Sequence, residues 1–256
     1  MRLVSLGFRC NNACVFCAQG KLREQDTAGE RDVELAIRSV EPGEVVAFVG
    51  GEPTLHERLP DWMRAAHLRG ARRVLVQTNG RRLAYRSYTR ELALASDRLA
   101  LDVALHGSSE AMHDYHTQVP GSFVQTVRGL RNARDEGLAT AITTVVTRSS
   151  FRHLVDVVRL AQAVGVDAVH LALAERVGSA ARDAARVVPS AELASQHIAR
   201  AAAEARRLGL GVLVLDEASS ADVRDRFAGI GEVEQVHDLP ARRVGLPVVS
   251  PKEVAR

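Results

Sequence analysis

Short apolar runs alternate with longer stretches of helical periodicity along most of this 256-residue chain, and no other feature restricts the fold as much. Strands are read at Leu3–Leu6, Val45–Val49, Arg73–Gln77, Leu99–Leu105, Ala139–Val146 and Ala168–Leu173. Helical stretches lie near Asp32–Val40, Leu59–Arg69, Ser87–Ala95, Ser122–Glu136 and Phe151–Val164, and after Pro189 comes Ala191–Leu208, then a short apolar run at Val212–Leu215. Gly43, Gly70, Gly137 and Gly165 stand just before strands, where helix C-terminal caps are expected. Strands joined by helices make a parallel sheet with both faces covered, so the chain reads as α/β. With apolar residues at 46% and aromatics at only 4%, its core must be built from Val, Leu, Ile and Ala. An open doubly wound sheet and a full or partial barrel both suit such repeats. The first turn, Gly7-Phe8-Arg9-Cys10, has only one glycine and does not make a dinucleotide loop. Functional-looking residues follow strand after strand, which favours a barrel, because barrel sites collect at C-terminal strand ends.

Basic and acidic residues nearly balance, at 34 and 31, and lysine occurs only at Lys21 and Lys252. The arginines are scattered beside acids rather than massed, so nucleic-acid binding is not expected. Met1–Gly7 is too short for a signal peptide or membrane span, and an odd number of clustered thiols argues against an oxidising compartment. The expectation is a cytoplasmic protein with no membrane partner. Asp216–Arg256 is polar and weakly periodic, and reads as a tail or a cover over the barrel; the domains are then 1–215 and 216–256.

All the cysteines lie in Cys10-Asn11-Asn12-Ala13-Cys14-Val15-Phe16-Cys17. Structural zinc normally takes four protein ligands, whereas an iron–sulfur cluster on three thiolates leaves one iron open. Buried small hydrophobes or a zinc knuckle are the plain alternatives. Gly50-Gly51-Glu52-Pro53-Thr54 follows the second strand, where two glycines permit close approach and a carboxylate can pair with a cation. Gln77-Thr78-Asn79-Gly80 ends the third strand, and Asp102-Val103-Ala104-Leu105-His106-Gly107 the fourth. Each alone could be a turn or a strand end. His106, His113, Asp114 and His116 invite a metal reading, although short histidine motifs more often prove structural. Thr144, Val146, Thr147, His170, Leu171, Ala172 and Gly178, on or after the last strands, suit an adenine pocket or ordinary barrel core.

Taken together and in this order, these segments resemble the radical S-adenosylmethionine (SAM) superfamily, with C-x₃-C-x₂-C and an aromatic before the last cysteine; the resemblance covers about residues 1–180. It implies a (βα)₆ partial TIM barrel and a [4Fe–4S] cluster on Cys10, Cys14 and Cys17, whose open iron chelates SAM. It places Gly50, Gly51 and Glu52 at the SAM amino group and Thr78 and Asn79 near the ribose or carboxylate. Phe16 falls on the adenine side. Asp102 or Thr78 would compensate for Ala104, which stands where many relatives have serine, and His106 is the candidate substrate contact. The implied chemistry is reductive SAM cleavage to a 5′-deoxyadenosyl radical that abstracts hydrogen from a substrate C–H bond, with flavodoxin or ferredoxin as reductant. The wording of the fourth strand is similar to the MoaA- and PqqE-related group, but without its C-terminal auxiliary-cluster cysteines. That suggests tailoring of a ribosomal peptide or natural-product intermediate. A small-molecule isomerase, a glycyl-radical activase and a non-catalytic iron–sulfur sensor are the alternatives, and the Gly-Gly-Glu segment speaks against the sensor.

Overall fold

Seven parallel strands run in chain order across one sheet: β1 (Arg2–Ser5), β2 (Val45–Val49), β3 (Arg73–Thr78), β4 (Leu99–Ala104), β5 (Ala139–Val146), β6 (Ala168–Leu173) and β7 (Gly211–Leu215). The computed structural model describes residues 1–24 and 29–215, so the proposed tail at 216–256 lies outside the described residues. Between the strands come α1 (Glu30–Arg38), α2 (Leu59–Leu68), α3 (Arg86–Ala95), α4 (Glu110–Thr117), α5 (Ser122–Asp135), α6 (Leu154–Val164), α7 (Ala184–Val187) and α8 (Ala191–Arg207). Consecutive strands pair throughout, as crossovers through helices require. The last apolar run is a full seventh strand, paired with β6 from Ala168↔Gly211 to Ala172↔Leu215.

Side-chain alternation along each strand divides the core into two layers. Val46, Phe48, Val74, Val76, Leu99, Leu101, Val103, Ile142, Val169 and Leu171 pack outward with the apolar faces of the helices. Burying one such side chain is worth about 1.5–3 kcal/mol. On the other face Ala47, Val49, Leu75, Ala100, Ala139, Ala141, Ala168 and Leu213 form a second, smaller cluster. This inner face is mostly alanine, which gives a narrow, close-packed floor.

Three local features differ from the sequence reading. Helix α4 was not expected, because its Glu-Ala-Met-His-Asp-Tyr-His-Thr has little apolar period; Ser109 caps its start, its hydroxyl accepting from Met112 N at 3.4 Å. Gly43 does not cap α1, which ends at Arg38; its φ of 88° serves the turn into β2, where its N–H bonds Gly70 O at 2.8 Å. The stretch from Phe151 begins as a 3₁₀ turn over Phe151–His153 before α6. No helix among the described residues is long and apolar enough to cross a membrane.

Candidate functional site

The cysteine loop leaves the end of β1 and is pinned from several sides by backbone hydrogen bonds. Ala13 N donates to Thr117 O at 2.8 Å and Val15 N to His116 O at 3.0 Å, so the C-terminal carbonyls of α4 hold its middle. Cys17 O accepts from Ser179 N at 2.8 Å and from Gly20 N at 3.1 Å. A side chain at Gly178 would collide with the carbonyl oxygens of Cys17 and Ala18. Arg81 completes the mount: its guanidinium donates to Asn11 O and to Asn12 Oδ1 (3.0 Å), and to Gln125 Oε1 (2.6 Å).

None of the three cysteines is in a disulfide, and all are partly exposed. Burial pushes the Cys10 thiol up to about 11; the Asn12 N–H opposes this, and the charges of Glu52 and Cys17 add to it. No three Cys, His, Asp or Glu side chains among the described residues gather as a single metal ion requires. A three-thiol donor set on a pinned loop fits a cluster that attaches each thiolate to a different iron.

The glycines of Gly50-Gly51-Glu52 make room for the chain's own backbone. Both have positive φ, at 91° and 51°. A Cβ on Gly51 would strike Arg9 O, and one on Gly50 would lie 2.7 Å from Gly7 O. Glu52 N then bonds Arg9 O at 2.8 Å, locking the end of β2 to the base of the cysteine loop. The Glu52 side chain is 1% exposed. Its Oε1 accepts from Thr54 N (3.0 Å), Thr54 Oγ1 (2.6 Å) and Thr78 Oγ1 (2.6 Å), and its Oε2 from Asn79 N (2.6 Å). A carboxylate oxygen holds about two hydrogen bonds, so Oε1 is filled and Oε2 keeps one open position. The single proton of Thr78 is spent on Glu52, leaving its hydroxyl only acceptor capacity, already shared with Gly80 N at 3.0 Å. Asn79 Nδ2 reaches Asn11 Oδ1 at 2.6 Å, linking Glu52 to the cysteine loop.

The histidines do not form a metal site. His116 is satisfied by Met112 O (2.7 Å) and by Thr147 and Ser149 hydroxyls (2.8 and 3.0 Å). His113 Nδ1 accepts from His106 N at 3.1 Å, and His106 Nδ1 from Val145 N at 3.3 Å. Asp114 accepts from Gly121 N, Ser122 Oγ (2.7 Å) and Phe123 N (2.8 Å), so it caps the start of α5. His106 is 3% exposed, with the edge of Phe16 against its ring, centroids 4.6 Å apart. Burial first, then the neighbouring His113 and His116, holds His106 well below the usual imidazole range, and the ring is neutral. Asp102 lies deeper, on the inner face of β4, and accepts from Thr143 Oγ1 at 2.6 Å.

The structure joins the cysteine loop, Gly50–Glu52 and Thr78–Asn79 by hydrogen bonds, and adds Arg81 and the clamp by Ser179, which the sequence reading did not name. The signal for Arg81 was its place directly after Gln77-Thr78-Asn79-Gly80. Outside the cysteine loop, a cleft of about 380 Å³ is lined by Cys14, Val15, Lys21, Tyr115, Arg182 and Arg186, among others.

A parallel barrel with a three-cysteine loop after its first strand defines a radical SAM protein, and comparison with known proteins agrees. The Radical SAM superfamily model matches residues 4–161, and the chain belongs to that family. An AdoMet-dependent heme synthase of Nitratidesulfovibrio vulgaris is 28% identical over 187 residues, 72% of this chain and 50% of the relative. A probable GTP 3′,8-cyclase of Saccharolobus islandicus is 30% identical over 179 residues, 68% of this chain and 57% of the relative. The chain thus spans about half the length of the curated relatives it matches. Among solved structures, Streptococcus suis SuiB bound to S-adenosylmethionine superimposes with a TM-score of 0.65 at 16% identity, covering 84% of this chain and 50% of SuiB. The α/β partial-barrel expectation therefore holds, with a seventh strand added to the six that were expected.

Proposed function

We propose that this chain is a radical SAM enzyme whose Cys10, Cys14 and Cys17 hold one [4Fe–4S] cluster. The observation that carries this reading is the pinned loop itself, three cysteines outside any disulfide on a loop fixed by bonds from α4, Arg81 and Ser179. With SAM bound, the cluster would supply one electron for homolytic cleavage to a 5′-deoxyadenosyl radical, which takes hydrogen from a substrate C–H bond. The open position on Glu52 Oε2 suits the SAM ammonium, with Gly50 and Gly51 setting the backbone that presents it. Thr78 and Asn79 act mainly by orienting Glu52, and Phe16, backed by the neutral His106 ring, offers an apolar face for adenine. Burial of Glu52, Thr78, Asn79 and His106 would keep water from that side of the reacting centre.

The outer cleft by Cys14 carries Lys21, Arg182 and Arg186, which favours an acidic one-electron donor of the flavodoxin or ferredoxin kind. The substrate is taken to be a ribosomal peptide or natural-product intermediate; in support, SuiB has been solved with its precursor peptide SuiA. Three cysteines outside any disulfide also suit the reducing cytoplasm. The experiment is anaerobic reconstitution with iron and sulfide, reduction, and chromatography for 5′-deoxyadenosine. Its formation from SAM is the expected result; a fully loaded, reduced protein that forms none would remove the enzyme reading.

A further inference from the structure

Inside the barrel, three polar side chains from adjacent strands meet on the concave face. Ala100, Ala141 and Ala168 belong to the closed inner floor. Two residues further along β4, β5 and β6 stand Asp102, Thr143 and His170. Thr143 Oγ1 donates to Asp102 Oδ1 at 2.6 Å and lies 3.3 Å from His170 Nδ1, which is itself 3.7 Å from Asp102 Oδ1. Side chains on β4 and β6, with β5 between them, approach this closely only across the barrel interior.

The hydrogen bonds fix the histidine tautomer. A threonine hydroxyl has one proton, and here it goes to Asp102, so toward His170 the hydroxyl can only accept. In the neutral ring Nδ1 therefore carries the hydrogen, and Nε2 presents its lone pair. His170 is 2% exposed, and its Nε2 has no hydrogen-bond partner among the described residues. The contrast with His116, satisfied on both nitrogens, is direct. Above the trio, the same faces end in Ala104, Val145 and Ala172, all partly exposed, so the interior is open toward the strand ends.

We propose that His170 Nε2 is a substrate anchor inside the barrel, accepting a hydrogen bond from a neutral O–H or N–H group of the substrate. Asp102 and Thr143 are positioning residues: they hold the ring in the accepting tautomer and orient it toward the opening. Small walls at Ala104 and Ala172 admit a slender donor such as an alcohol or amide. Asp102 then serves the substrate side of the barrel rather than the SAM ribose. The inference rests on the proposed function, that this chain is an enzyme acting on a substrate C–H bond.

The test uses reconstituted, SAM-bound protein with ¹⁵N-labelled histidine and 1,2-propanediol as the probe donor, the His170 signals being assigned by their loss in His170→Gln. The expected spectrum shows Nε2 unprotonated and moving saturably as propanediol is added. Thr143→Val should release the tautomer and weaken the probe by about tenfold, the scale of one oriented hydrogen bond, and Thr143→Ser should restore it. An Nε2 signal unmoved by propanediol, or unchanged binding in Thr143→Val, overturns the proposal. So does a tenfold loss of SAM affinity in Asp102→Asn, which would return Asp102 to the cofactor. Failure of the parent protein to form 5′-deoxyadenosine, with the propanediol response intact, would instead remove the enzyme reading and leave the interior site standing.

Discussion

Replacing Glu52 with alanine removes the acceptor for two backbone N–H groups and two hydroxyls at once. Each buried donor left without a partner costs about 1–3 kcal/mol, so Glu52→Ala should lose several kcal/mol of stability along with SAM affinity. Urea unfolding of parent and variant measures this, and an unchanged midpoint would show that Glu52 does not hold the strand ends together. A second residue-scale expectation concerns acid. Burial first, then His116 and Arg81, lowers His113 to about 4 against the partial opposition of Asp114. In the unfolded chain it titrates near 6.5, so between about 6.5 and 4 the unfolded state binds the extra proton. Stability is therefore fully present above that window and is lost as pH falls through it, by an amount on the order of 3 kcal/mol. His113→Asn should flatten the dependence of unfolding free energy on pH between 4 and 6.5; an unaltered slope would assign it to other groups. The residues legible in the sequence were those whose type and spacing carry their chemistry, as with Cys10, Cys14 and Cys17. Arg81 was not legible, because its role depends on Asn11, 70 residues away, which only the fold brings near.

Helix α4 shows what periodicity misses at the scale of an element. It buries His113, His116 and Thr117 rather than aliphatic residues, so no apolar stripe announces it. It ends on Gln118 at φ 57°, the only non-glycine with positive φ among the described residues. Glycine relieves that conformation while gaining freedom in the unfolded chain, so Gln118→Gly should stabilise by about 0.5–1 kcal/mol net. Thermal melting checks this, and a lower melting temperature would mean that the bond from Gln118 Nε2 to Tyr115 O at 2.6 Å outweighs the backbone cost. The strands, by contrast, were read almost to the residue. The central strands are buried runs bounded by turn residues, and the Ala139–Val146 and Ala168–Leu173 boundaries agree with the structure.

For the whole molecule, the proposed cluster rests on one pinned loop. Iron analysis of reconstituted protein should give about four irons per chain, and the triple Cys10/Cys14/Cys17→Ala variant essentially none. A value near eight, or iron retained in the triple variant, would require a second centre that no described cysteine can supply. The molecule's connectivity also bears on the order of events during synthesis. The cysteine loop is translated before the segments that hold it, Thr117 and His116 of α4 and then Ser179, which lies beyond the last residue of the family match. Until residue 179 has been translated and folded back, Cys17 lacks its carbonyl clamp. The thiols are therefore translated well before their mount is complete, and iron delivered to a nascent chain would meet an unfinished seat.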